Sequence, residues 1–316
     1  MLVSILIPCY NARQWVGQAI ESALAQTWPN VEVIVVDDGS TDGSFDVIQS
    51  YGDRIRYETG PNRGGNQTRN RLLELARGEW VQYLDADDYL LPDKIECQMD
   101  FLETRSDVDV LIGPAILEYY EATGTRREIH QIPEPHDYWS LLASWHLPQT
   151  GAPLWRKAAI LDVGAWDPDQ PCCQEHELYL RLLMAAKRFA FCPTSGAVYR
   201  QWSDETLCKR DIKLVHTRRL MIEQRLEDFL RNKGELTAAR LFAINLARFE
   251  IARTAWRYDR HRSDELVRQI RASDATFSPR GNAAPFHYRL IFHAIGFRAA
   301  EILAQMLRRS TERRAA

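Results

Sequence analysis

Apolar and polar positions change period along this chain. Val3 to Pro8 and Val31 to Asp37 are nearly continuous apolar runs, the mark of strands covered on both faces. Between them Val16, Ala19, Ile20, Ala23 and Leu24 fall at helical spacing, and Trp28-Pro29-Asn30 ends that segment with a turn. After Asp42, Phe45, Val47 and Ile48 predict a second helix, Ile55 to Tyr57 a short strand, Asn66 to Arg77 a third helix, and Trp80 to Leu84 a return to the sheet. This β-α-β-α order predicts an α/β, Rossmann-like fold, a mostly parallel sheet flanked by helices, with ligands at the carboxyl ends of its strands. From about residue 206 the pattern turns to long helical segments, including Leu236 to Tyr258 and Phe286 to Arg309. The expected organisation is therefore a domain over 1–205 and a helical C-terminal extension over 206–316.

Charge divides the chain in a similar way. The net charge of −3 combines 11 Lys and Arg against 24 Asp and Glu in residues 1–150 with 29 against 19 in residues 151–316. An acidic first half argues against nucleic acid as a partner, because phosphate backbones need basic surface. Met1-Leu2-Val3-Ser4-Ile5 enters a strand without the basic start of a secretory signal. No uncharged apolar run approaches the length of a membrane span. Cys9, Cys97, Cys172, Cys173, Cys192 and Cys208 lack a disulfide-framework spacing and any CxxC pair, so they are expected to be reduced thiols of a cytoplasmic protein.

The chemistry concentrates where the fourth strand ends. Trp80-Val81-Gln82-Tyr83-Leu84 runs straight into Asp85, Asp87 and Asp88. Acids clustered at the end of a buried strand repel one another and resist desolvation unless a cation neutralises them. Hard oxygen ligands in this number suit Mg2+ or Mn2+, with phosphates and water filling the other positions. One such Asp would fit a helix cap ahead of Pro92; three would not. Asp37-Asp38-Gly39-Ser40 closes the second strand, and Pro8 to Asn11 follows the first. Three strand ends converge on one crevice.

Together, Val3-Ser4-Ile5-Leu6-Ile7-Pro8-Cys9-Tyr10-Asn11, Val35-Val36-Asp37-Asp38-Gly39-Ser40-Thr41-Asp42 and Leu84-Asp85-Ala86-Asp87-Asp88 resemble family-two glycosyltransferases of bacterial type, which have the GT-A fold. The resemblance covers roughly residues 1 to 205. It implies an inverting enzyme that moves a sugar from a nucleotide diphosphate, usually UDP, to an acceptor hydroxyl on a glycan or lipid-linked molecule in cell-surface synthesis. Uracil offers an N3–H donor that a carboxylate at the second strand end, Asp37 or Asp38, would accept. A turn with Asp42 as the next helix cap is the plainer account of the same residues. Tyr10 would present a flat face to the base, unless it is a core aromatic, while Pro8 and Asn11 shape the loop around the nucleotide. Arg69 resembles the family's Arg-Asn pair and would reach a phosphate or pin that loop, unless it is solvated on its helix. Within the acid cluster, Asp85 and Asp87 are the DxD pair, Asp87 and Asp88 are the expected metal ligands, and Asp85 faces the ribose or metal-bound water.

Inverting displacement also needs a base. The family's Glu-Asp pair aligns with Gln174-Glu175, which makes Glu175 the candidate, one methylene longer than the family's aspartate, with His176 as a rival. Val198-Tyr199-Arg200-Gln201-Trp202-Ser203 resembles the family's Tyr-Arg-x-His segment with Trp202 in place of histidine, which leaves Arg200 to meet phosphate. Glycine-rich loops for a triphosphate, GxGxxG and GxxxxGK[ST] are all missing after the first strand, which disfavours a sugar nucleotidyltransferase, a dinucleotide oxidoreductase and a P-loop enzyme. A catalytically silent nucleotide-sugar or glycan-binding module is the alternative of a different class. The tail, with 23 Lys and Arg against 12 Asp and Glu in 206–316, adds an expected peripheral contact with the cytoplasmic membrane through its apolar, arginine-bearing last helix. Packing of that helix inside the protein is the plainer account.

Overall fold

The computed structural model describes residues 1–121, 124–134, 137–202 and 211–315. They form two compact units, one of 1–138 and 146–222, the other of 139–145 and 223–316.

The first unit holds the strands β1 (Val3–Cys9), β2 (Val31–Asp37), β3 (Arg56–Thr59), β4 (Trp80–Tyr83), β5 (Tyr89–Leu90), β6 (Val110–Ile112), β7 (Ala115–Glu121), β8 (Gly124–His130), β9 (Leu154–Arg156), β10 (Phe189–Phe191) and β11 (Ala197–Gln201). Seven of them make a sheet in the order β10-β6-β9-β4-β1-β2-β3, parallel except at β9. β1 lies near its centre, and Val3, Ile5, Leu6 and Ile7 are fully buried, as a strand covered on both faces requires. The expected helices form at Val16–Leu24, Ser44–Gln49 and Gly65–Leu75. The first buries Val16, Ala19, Ile20 and Ala23 on one side, the stripe that its spacing predicts.

The apolar pattern predicts β1 to β4. Of the other seven, β5, β6, β9 and β10 are only two or three residues long, and β8 is exposed at every residue. β5, β11, β7 and β8 form a second sheet in that order. In it, β11 pairs antiparallel with β5 and parallel with β7, which brings Arg200 back beside the residues that follow β4. Beneath the main sheet edge lies an aromatic floor: Trp155 stacks on Tyr179 at 5.1 Å, and Tyr83 meets Trp166 edge-on at 5.2 Å. All four rings are fully or almost fully buried.

The second unit is helical, with helices Ala238–Ala255, Arg260–Ser273 and Phe286–Ala315. Thr237 caps the first through a bond from the Arg240 amide, and Asp259 caps the second through one from Arg262. Phe249 gathers the rings of Phe277, Tyr288, Phe292 and Phe297 at 5.6–6.1 Å. None of the five described cysteines is in a disulfide, and Cys208 lies outside the described residues. The last helix modifies one expectation: Phe286–Leu307, 22 residues containing an 18-residue window of mean hydropathy 1.4, is long and apolar enough by length and composition to cross a membrane. Its scattered charges hide it from a search for uncharged runs.

Candidate functional site

Parallel register aligns the carboxyl ends of the central strands. Cys9 stands beside Asp37 and Leu6 beside Tyr83, so the Tyr10–Asn11 loop, Asp38 and the Asp85–Asp88 loop emerge at one edge. There a crevice of about 490 Å3 opens, lined by Pro8, Tyr10, Asn11, Asp38, Arg69, Asp85 and Asp87 together with Trp15, Gln174 and Trp202. That volume suits a small molecule. Seven of the expected site residues thus share one cavity. Asp37, Asp88, Glu175 and Arg200 stand outside its lining. Tyr10 is 53 % exposed, which makes it a platform at the mouth and removes the core-aromatic account.

The corner after β2 is held by hydrogen bonds. Asp37 Oδ2 accepts from the Thr59 hydroxyl at 2.7 Å and the Ser40 amide at 3.3 Å, while its Oδ1 is buried with no hydrogen-bond partner. Asp38 accepts from the backbone amides of Arg63 at 2.7 Å and Gly64 at 2.9 Å, one on each oxygen. Gly39 turns the chain at φ 75°, where a Cβ would stand 2.8 Å from the Asn62 nitrogen, so only glycine fits. Asn11 adopts φ 49° and accepts from the Thr41 amide, joining the first loop to the second. Asp42 takes the amide and hydroxyl of Ser44 just ahead of the next helix, whose N-cap is Gly43 and not the Asp42 expected.

The corner after β4 is different. Asp88 is buried; its Oδ1 accepts from the Arg200 amide at 2.9 Å, and its Oδ2 is buried with no hydrogen-bond partner. Burial, then the charges of Asp87 and Asp85, pushes its carboxyl well above the usual carboxylate range. Asp87 is pushed up in the same way by burial and by Asp85, and the Trp202 indole N–H opposes this by donating to Asp87 Oδ2 at 3.0 Å. Trp202, expected only as a missing histidine, therefore stands at the acid itself, packed against Trp15 at 5.6 Å.

Arg200 needs a correction. Its side chain is 1 % exposed, clasped between the rings of Trp15 and Tyr89 at 4.7 and 4.6 Å. The guanidinium donates to the Asp87 carbonyl, the Tyr120 hydroxyl and Gln18. With its nitrogens engaged and its head out of the crevice, Arg200 braces the acidic loop from behind and does not face a phosphate.

Arg69 is not a solvated helix arginine. It is buried, lies 5.1 Å from the Trp166 ring, pairs with Asp85 at 2.8 Å and donates to Gln174 Oε1 at 3.2 Å. One side chain thus ties the DxD loop to the start of the helix Gln174–Met184. Asn70 beside it holds the Trp166 backbone through both its amide atoms. Glu175, next to Gln174, is partly covered, its side chain 23 % exposed. Burial raises its carboxyl above the usual range, with Arg69 opposing and Asp85 adding to the shift. Burial drives His176 the other way, to about 3, with Arg219 contributing, so the ring is neutral near pH 7 and a weak base. Glu177 pairs with Arg181 at 2.8 Å, the structural role its spacing predicts.

The donor set fits a hard divalent cation in part. Asp87 lines the crevice and offers a carboxylate there, while Asp88 Oδ2 is buried without a hydrogen-bond partner. Asp88, expected as a direct ligand, sits behind the wall because β11 takes its other oxygen. Among the described residues no group of three or more His, Cys, Asp or Glu is gathered closely enough to hold an ion by itself. An ion here would take most of its ligands from diphosphate and water, as Mg2+ does.

A mostly parallel sheet with acidic loops at its central strand ends, completed by a small second sheet, is the GT-A architecture. Residues 4–157 match Glycosyl transferase family 2. Over 111 residues it is 42 % identical to an uncharacterized glycosyltransferase of Rickettsia typhi, covering 35 % of each chain. Over 106 residues it is 40 % identical to the Escherichia coli UDP-Glc:alpha-D-GlcNAc-diphosphoundecaprenol beta-1,3-glucosyltransferase WfaP, covering 33 % of this chain and 42 % of that one. The chain thus spans well under half the length of these curated relatives. The crystal structure of S. aureus TarS 1-349 in complex with UDP-GlcNAc aligns with a TM-score of 0.67 at 16 % identity, over 88 % of this chain and 84 % of that one, which shows a shared fold.

Proposed function

We propose that this chain is an inverting, metal-dependent glycosyltransferase that moves a sugar from a nucleotide diphosphate, UDP by the chemistry of the site, to an acceptor hydroxyl in cell-surface glycan or glycolipid synthesis. The observation that carries the proposal is the single crevice into which the Pro8–Asn11 loop, Asp38, the DxD loop and the start of the Gln174–Met184 helix converge.

Tyr10 offers its exposed face to the base, and Asp38, whose oxygens each retain a lone pair beyond one backbone bond, accepts from uracil N3–H. Asp87, with Asp85 beside it, holds Mg2+ or Mn2+. The ion, when bound, offsets charge growing on the departing diphosphate. Arg69 fixes the distance between the donor end and the base end by bonding both Asp85 and Gln174. Glu175 takes the acceptor proton as the new bond forms, and its raised carboxyl moves toward the pH at which a base works best. The E. coli relative is named for a diphosphoundecaprenol-linked acceptor, and an acceptor of that lipid-linked class is proposed here, at the cytoplasmic face of a membrane.

Calorimetry with UDP tests the reading. Binding is expected to be far tighter with Mn2+ than with chelator, and UDP-sugar hydrolysis is expected only with the metal. Equal affinity in both conditions would sink the proposal.

A further inference from the structure

The helix that ends the chain is apolar on two sides, and only one of them is used within its unit. Gly296, at φ 84° and ψ 177°, breaks it into two pieces. Tyr288, Phe292, Phe297, Ala300 and Glu301 face inward, against Phe249 and Trp256, and Arg253 pairs with Glu301 at 2.5 Å. Exposed on the first piece are Phe286 and Leu290, and on the second Ile302 with Met306 and Leu303 with Leu307, each pair four residues apart and so on one face of its own piece. These six are 38–64 % exposed. A helix apolar all round belongs in a core or against lipid, and this one has a core on one side alone.

The chemistry of the occupant is set by the charge beside that face. At the Gly296 break a groove of about 350 Å3 is lined by Arg268, Arg271, Arg298 and the exposed Ile295. Arg298 holds Asp264 at 2.8–2.9 Å; Arg268 and Arg271 are exposed on the helix Arg260–Ser273. Residues 286–316 add six arginines against two glutamates. Exposed apolar side chains with arginines at their edge match the boundary between acyl chains and anionic headgroups. Spanning is a poorer fit, because it would draw Glu301 away from Arg253 and strip Phe292 and Phe297 from Phe249, and because the helix is broken midway.

We propose that this face of the second unit lies on an anionic phospholipid surface, with the apolar residues in the interface and Arg268 and Arg271 on headgroup phosphates. The proposal concerns the second unit alone and stands or falls apart from the donor reading.

Co-sedimentation of the full chain with phosphatidylcholine vesicles, with and without phosphatidylglycerol, tests it. Binding is expected to the anionic vesicles at low salt and to fall as salt rises. Arg268→Gln with Arg271→Gln should weaken it roughly 30-fold, about fivefold for each arginine from the ~1 kcal/mol that a basic residue contributes near such a surface. Ile302→Ser with Met306→Ser should abolish it, with far-ultraviolet circular dichroism unchanged because both residues are exposed. Equal binding to neutral vesicles, or no loss in either double variant, overturns the proposal. So does a dimer in light scattering that the Ile302→Ser, Met306→Ser variant dissolves, since the face would then belong to a second copy.

Discussion

Two pairs of adjacent aspartates follow β2 and β4, the strands on either side of β1 in the same sheet, and their surroundings differ. Asp38 spends both oxygens on loop amides, and Asp37 is bonded by Thr59 and Ser40, so the corner after β2 is fastened by the protein itself. Each corner keeps one buried carboxylate oxygen without a hydrogen-bond partner, Asp37 Oδ1 and Asp88 Oδ2, but at the second corner both carboxyls of the Asp87–Asp88 pair are also pushed up. The first corner is held by four hydrogen bonds within the protein and borders the crevice through Asp38. The second gathers carboxyls whose charged form is disfavoured by burial and by one another, a condition that a positive charge from outside would relieve.

The largest effect expected separates both corners from the third acid. Glu175→Gln should leave Mn2+-dependent UDP binding nearly intact while transfer falls by roughly a hundred- to ten-thousand-fold, the usual loss for a general base. The wild-type pH profile carries a sign to check. A base must be ionised, so kcat/KM should drop as pH falls through the raised Glu175 pKa, its acid limb above the ordinary value of 4.5. Normal turnover of the glutamine variant alongside a dead His176→Ala would assign the base to the wrong residue.

Asp87→Asn with Asp88→Asn should next reduce UDP affinity in Mn2+ to the level found with chelator. In chelator the same variant should be as stable as the parent or more so, because two carboxylates that burial disfavours become neutral. A clear loss of stability in urea would mean that the second corner is as self-sufficient as the first.

Asp38→Ala is the counterpart. Removing it orphans the Arg63 and Gly64 amides and should cost about 2 kcal/mol in urea unfolding, with or without metal. An unchanged midpoint would show that those amides find water instead, and the contrast between the corners would weaken.

The smallest effect concerns Trp202. Its N–H competes with a cation for Asp87 Oδ2, whereas a phenyl ring would keep the contact with Trp15. Trp202→Phe should tighten Mn2+-dependent UDP binding about fivefold, for a net hydrogen bond of ~1 kcal/mol. Calorimetry showing no change would place the indole outside the competition.

Much of this was legible in the residues alone. Continuous apolar runs mark β1 and β2 because a strand covered on both faces has no polar side, and helical spacing marks Val16–Leu24 because its stripe is strictly periodic. The convergence of Pro8–Asn11, Asp38 and Asp85–Asp87 follows from parallel order, which puts every strand's carboxyl end at one edge. The relations among those residues were decided in three dimensions. Arg69 meets Asp85 across 16 residues and Gln174 across 105, and Arg200 reaches Asp87 across 113. No local period encodes such pairs. Whether an arginine faces a phosphate or braces a loop depends on which ring and which carbonyl the tertiary fold sets against it. The same holds for the last helix: its spacing foretells an apolar helix, but only packing against Phe249 decides which apolar side is spent and which is left open.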